Sequence, residues 1–323
     1  MKTNNPAMTE KKPLEQLIEM NEQQGKVRRK PARKPKDVKK DIERYYRAQL
    51  KSLVREINRE IEETVIPVVK QEKSAYKTDA ATVYTRDAWA DRIIEAIRRI
   101  SRRFVGGELE EQYERLAQGV VSRAESATTE AFVKSVNQAV GVNIRPMLDK
   151  EDMVEYVQSA SWHNAQLIKS VPEEYLKRVE TAVVGGIRSG YAPAKIAQDI
   201  REATGVTQRR AELLARDQTA KLTSEITERR QRQAGIKYYQ VITANDERVT
   251  GKPGGKYPNA RISCWGIANQ DIGYGKGVYR WDQGASWGGE KGLHPGRHHI
   301  NCRCVAKPIM EWELPNKAKK NKT

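Results

Sequence analysis

A chain of 323 residues has room for about two domains. Lys and Arg total 59 against 42 Asp and Glu, and this net charge of +17 favours a polyanionic partner, either nucleic acid or an acidic protein surface. No run of about 18 apolar residues could span a membrane, no apolar core of a secretory signal follows the first lysines, and three cysteines make no disulfide framework.

Residues 1–37 read as a basic, disordered N-terminal arm. Leu14, Leu17, Ile18 and Met20 can form one short helix, which Gly25 would end. From Lys26 to Lys40 nine residues are basic, one is acidic and two are prolines. Like-charge repulsion and proline exclude a helix there and predict an extended segment. Arg28, Arg29, Lys30, Arg33, Lys34 and Lys36 could then lie along phosphates and release counterions. The alternative is a solubilising tail.

Residues 38–190 read as an elongated helical region that supplies partner contacts. Ile42, Tyr46, Leu50, Leu53, Ile57 and Ile61 recur at steps of three and four, until Pro67 breaks or bends the helix. Trp89, Ile93, Ile97, Ile100 and Phe104 form the stripe of a second helix that stops at Gly106-Gly107. A third helix spans roughly Glu108–Ala139, and shorter ones cover Lys150–Ser170 and Glu173–Ile187. Such stripes predict helix–helix core.

Residues 191–310 read as a small α+β module. Pro193 opens a short helix, Gly205 closes it, and Thr207 caps a longer helix over about Gln208–Ala234. The β-branched and aromatic run Lys237–Thr243 predicts a strand, and Val278–Trp281 and Cys302–Ala306 two more. Residues 311–323 read as a basic, disordered tail. The expected fold class is therefore α+β, mostly α, with a long helix feeding short irregular strands.

The chemistry-bearing residues concentrate in His294-Pro295-Gly296-Arg297-His298-His299-Ile300-Asn301-Cys302-Arg303-Cys304, which holds three of the four histidines and two of the three cysteines. Two thiols two apart on a strand face the same side, and with imidazoles from His294, His298 or His299 they would suit zinc. The candidate ligand set is His294, His298, Cys302 and Cys304, with Cys264 more distant. The alternative is two buried cysteines beside a histidine-rich turn. Asp246-Glu247-Arg248-Val249 could bind metal or act as acid and base, but its placement after a strand favours a turn in which Asp accepts backbone N–H groups. Arg216-Asp217-Gln218 could form a buried network or a solvated helix face.

Taken in order, Leu214-Ala215-Arg216-Asp217-Gln218-Thr219, Asp246-Glu247-Arg248-Val249, Gly277-Val278-Tyr279-Arg280-Trp281-Asp282 and His294-Pro295-Gly296 through Asn301-Cys302-Arg303-Cys304 resemble the phage head morphogenesis family, the minor head proteins of the Mu F type. The resemblance runs from about Tyr191 to Pro308. It departs where relatives commonly carry a histidine after the DERV motif, because this chain has Thr250-Gly251-Lys252-Pro253. A site completed by that histidine would here need Cys264 or a C-terminal histidine.

The resemblance implies a minor capsid protein of a tailed phage or prophage, without catalytic turnover. Its implied partners are the portal protein, capsid or scaffold proteins and double-stranded DNA bound non-specifically, with no membrane. Its implied place is the virion, in the capsid interior or portal region, after assembly in the host cytoplasm. The second reading is a nuclease or toxin-like enzyme in the C-terminal module, with a histidine working beside Asp246 or Glu247 and Arg303 steadying phosphate.

Overall fold

A computed structural model describes residues 13–71, 82–148 and 151–316. The fold is mostly helical, with short antiparallel strands near the C-terminus, and the chain forms two compact units. Neither unit is one continuous stretch. Residues 41–122 and 156–218 form one, and residues 1–40, 123–155 and 219–323 the other, so the expected 38–190 and 191–310 blocks each contribute to both.

The all-helical unit follows the expected stripes. Helix α2 (Lys39–Glu60) buries Ile42, Tyr46, Leu50, Leu53 and Ile57, and its charged residues beyond Lys39 are exposed or half-buried. Pro67 has no N–H to donate, and the chain widens into a π turn at Ile61–Val65 before resuming as α3 (Ile66–Gln71). Helix α4 (Thr82–Val105) buries Trp89, Ile93, Ile97, Ile100 and Phe104, and the Trp89 indole N–H donates to the Val68 carbonyl at 2.9 Å. Helix α5 (Glu110–Val140) begins in this unit with Tyr113, Ala117 and Val120 buried.

Two expected breaks are absent. Helix α6 (Glu151–Arg188) continues through Pro172, where separate helices ending at Ser170 and starting at Glu173 were expected. Burial of Ile168, Val171, Tyr175 and Val179 on one face outweighs the missing hydrogen bond. Helix α7 (Pro193–Gln233) likewise runs through Gly205, and the Thr207 hydroxyl donates back to the Ala203 carbonyl at 2.9 Å instead of capping a new helix.

The α+β unit is built on the last turns of α7 and the later part of α5. Strand β1 (Tyr238–Ile242) lies between β2 (Val278–Arg280) and β5 (Val305–Ile309), antiparallel to both, with Tyr239 opposite Tyr279 and Pro308. Strands β3 (Ala285–Trp287) and β4 (Glu290–Leu293) make a separate hairpin, and α8 (Cys264–Asn269) sits in the long connection between β1 and β2. The strand expected at Cys302–Ala306 starts later, at Val305. Cys302 and Cys304 precede it in an extended run that still buries alternate residues.

Residues 13–37 are ordered, in contrast to the expected disordered arm. Helix α1 (Pro13–Glu22) buries Leu14 and Ile18, Gly25 turns the chain with φ +66°, and residues 26–38 run extended. Glu311–Glu313 forms a short 3-10 helix and Leu314 is buried, in contrast to the disorder expected from residue 311; the rest of that expected tail, 317–323, and residues 1–12 of the expected arm lie outside the described residues.

Trp281 is the largest side chain in the sheet's core. It is fully buried, lies 4.1 Å from the Tyr239 ring centroid, and donates its indole N–H to Gln231 Oε1 on α7 at 2.9 Å. Trp281→Ala should lower unfolding free energy by about 3–5 kcal/mol, read by denaturant unfolding. A loss below about 1 kcal/mol would contradict this packing role.

Candidate metal centre

Four buried side chains, Cys264, His298, Cys302 and Cys304, bring their donor atoms within 4.8 Å of one another, a group that could hold a metal ion. Two local devices position them. Cys264 opens α8, where Ser263 Oγ caps the helix by accepting the Gly266 N–H at 2.8 Å and Thr250 Oγ1 accepts the Cys264 N–H at 3.0 Å. His298, Cys302 and Cys304 belong to the loop between β4 and β5. That loop is fastened to α7 by Ser224, whose hydroxyl donates to the Pro295 carbonyl, and by Arg297, which pairs with Glu228. Gly296 is needed at the closest approach: its φ is +81°, and a Cβ there would stand 2.9 Å from the Ala220 carbonyl.

The sulfurs influence one another's ionisation. Cys264 Sγ lies 3.8 Å from Cys302 Sγ and 3.3 Å from His298 Nδ1. Burial opposes ionisation of Cys302, yet hydrogen bonds from Cys264, Cys304 and His298 outweigh it and hold its thiol well below the usual range. Cys264 is pushed up to about 12, chiefly by its bond to Cys302, and Cys304 is pushed up by its bonds to Cys264 and Cys302. A divalent cation would displace the remaining protons and make all three thiolates.

The surrounding residues support the ligand loop. Arg303 forks onto both carboxylate oxygens of Asp246, with one limb at 2.6 Å, and joins the DERV turn to the CRC run. This bond holds the Asp246 carboxyl down to about 2. Asp246 Oδ1 also accepts the Arg248 N–H at 3.0 Å, so DERV forms the turn its sequence suggested; Glu247 and Arg248 are exposed. The Lys39 ammonium is buried and donates to the carbonyls of Arg303 at 3.2 Å and Cys304 at 2.8 Å.

One expected ligand is displaced and another takes its place. His294 is absent from the donor group. Its ring stacks on Trp281 at 5.5 Å and its Nδ1 lies 3.5 Å from the Tyr239 hydroxyl. Cys264 takes its place, its N–H donating to Thr250 Oγ1 just after the DERV turn. His299 sits at the rim, with Nε2 3.2 Å from Cys264 Sγ and 3.3 Å from Thr250 Oγ1. In the other unit, Asp217 and Gln218 are buried and joined at 3.4 Å, while Arg216 pairs with Glu43 at 3.5 Å, in place of a solvated helix face. Nothing in the sequence marked Lys39, one of nine cations in a basic run, as a neighbour of the ligand loop.

No protein-family model matches the sequence, and no solved structure matches it. An uncharacterised protein of Haemophilus influenzae is 28% identical over 218 residues, which are 67% of this chain and 44% of that protein. The chain thus spans less than half the length of that relative.

Burial holds the His294 pKa down to about 4, with Glu228 opposing and Arg297, Arg232 and His298 adding to the depression. An unfolded histidine takes its proton near about 6.5. Between these values the unfolded chain binds more protons, so stability is full above pH 6.5 and falls as pH drops toward 4. Thermal unfolding at pH 7, 6, 5 and 4.5 should show this decline, and His294→Gln should flatten it. An equally steep decline in the variant would contradict the assignment.

Proposed function

We propose that the chain is a minor head protein of a tailed phage or prophage, associated with the portal and aiding head assembly and DNA packaging or delivery, with a zinc-stapled C-terminal unit. The observation that carries this reading is the closed donor set. Three thiols and one imidazole, all buried, can fill four coordination positions and leave none for a substrate or a reactive water. A tetrahedral zinc with bonds of about 2.3 Å to sulfur needs two sulfurs about 3.8 Å apart, and Cys264 and Cys302 stand at 3.8 Å. Bound there, zinc would supply folding energy by joining α8 to the loop before β5.

The motifs that resemble the head morphogenesis family support the same reading through their positions. Asp246 and Arg303 brace the ligand loop, Trp281 packs beneath it, and His294-Pro295-Gly296 docks it on α7. These are structural tasks. The nuclease alternative needs a free histidine near a carboxylate, whereas His298 lies among the thiols and Asp246 is committed to Arg303. The net charge of +17 suits a protein housed beside packaged DNA and bound to it through phosphates.

Elemental mass spectrometry should find one zinc per chain, and Cys302→Ser/Cys304→Ser should lose it and unfold at a markedly lower temperature. Incubation with DNA or RNA plus Mg²⁺, Mn²⁺ or Zn²⁺ should leave both intact. Co-expressed with the portal and capsid proteins of its own phage, the chain should sediment with heads. Cleavage abolished by His298→Ala in a folded protein, or sedimentation as free protein only, would overturn the reading.

A further inference from the structure

The arm preceding α2 has a basic sequence and a fixed backbone. The Arg28 N–H donates to the Val140 carbonyl at 2.8 Å and the Lys30 N–H to the Ala139 carbonyl at 3.1 Å, both at the end of α5. The Ala32 N–H donates to Glu313 Oε1 at 2.8 Å, and the Arg33 carbonyl accepts from the Ser135 hydroxyl at 2.6 Å. Ala32 is buried, while the side chains of Arg28, Arg29, Lys30, Arg33, Lys34 and Lys36 are exposed. Only Arg29 is neutralised by an ion pair, with Glu22; among the described residues no carboxylate pairs with the other five.

We infer that this anchored arm is a binding surface for the phosphate backbone of double-stranded nucleic acid, held in place by the grip of Lys39 on the metal-binding loop. A flexible tail of the same charge would lose conformational entropy on every encounter, whereas a backbone already tied to α5 and Glu313 loses little. Lys39, the first residue of α2, donates to the carbonyls of Arg303 and Cys304, so the run before β5 that carries two cysteines of the centre also fixes the point where the arm ends. Five exposed cations that pair with no carboxylate among the described residues select a polyanion by charge alone and read no sequence. The inference deepens the proposed DNA contact and rests on that reading. The tether itself is protein to protein and does not require the metal.

The test uses the full-length protein and a fluorescent 25-base-pair duplex, with anisotropy measured from low to moderate salt. Lys30→Ala/Lys34→Ala should lower the slope of log K against log salt by about 2, roughly 1 per lost phosphate contact, with zinc content and thermal unfolding unchanged. Lys39→Met should keep its metal by elemental analysis, speed hydrogen exchange at the Arg28 and Lys30 amides, and weaken duplex binding severalfold. An unchanged slope in the alanine pair would overturn the surface. Unchanged exchange and affinity in Lys39→Met would overturn the tether. Absence of metal from the wild type would defeat the zinc reading alone, because both binding comparisons stand without it.

Discussion

Three thiols and an imidazole buried within 4.8 Å of one another are electrostatically unlike ordinary core. Three thiolates packed this closely would repel one another without a cation, and their contacts hold the Cys302 thiol down while pushing Cys264 and Cys304 up. A divalent ion held there would resolve that conflict and would link the start of α8 to the turn carrying His298 and the run before β5. The sheet has only three strands, and its core of Tyr239, Tyr279 and Trp281 lies directly beside the cysteines. The three-stranded sheet is supported by the helix it packs on, and a metal cross-link at the cysteines would add to that support.

The bracing around the centre is distributed over distant parts of the sequence. Asp246 and Arg303 are 57 residues apart and form a two-pronged bond; Ser224 and Arg297 fasten the loop to α7 across a similar separation. Lys39 reaches the same loop from the N-terminal arm, 265 residues from Cys304. Burying an ammonium is costly, and burial holds the Lys39 pKa below its usual value; two carbonyls accept its N–H groups, and the charges of Cys302, Asp37 and Cys304 offset that cost only in part. The unit is assembled by long-range closure around a few polar contacts, which is why its three segments are so dispersed along the chain.

The apolar stripes of α2 and α4 were legible because helical periodicity is written residue by residue, and each expected core position on them is buried. The continuity of α6 and α7 was not, since Pro172 and Gly205 are local stop signals overridden by tertiary packing. The arm showed its extended form through proline and charge. Its order depends on carbonyls at the end of α5 and on Glu313, which no local pattern reveals. At the centre, the two-residue spacing of Cys302 and Cys304 correctly put both thiols on one face. His294 looked equivalent to His298, and only the stacking of Trp281 on one ring separates them. Cys264 was visible as the third cysteine, but its 38-residue distance from Cys302 hid the contact.

The most direct test of a closed metal staple is X-ray absorption at the zinc edge on the purified full-length protein. The account predicts a first shell of three sulfurs and one nitrogen, from Cys264, Cys302, Cys304 and His298, with no oxygen from water. A Cys264→Ser variant should lose one sulfur from that shell or release the metal. A wild-type shell with two sulfurs and a water oxygen would contradict the account, because it would leave an open coordination position and return the site to chemistry.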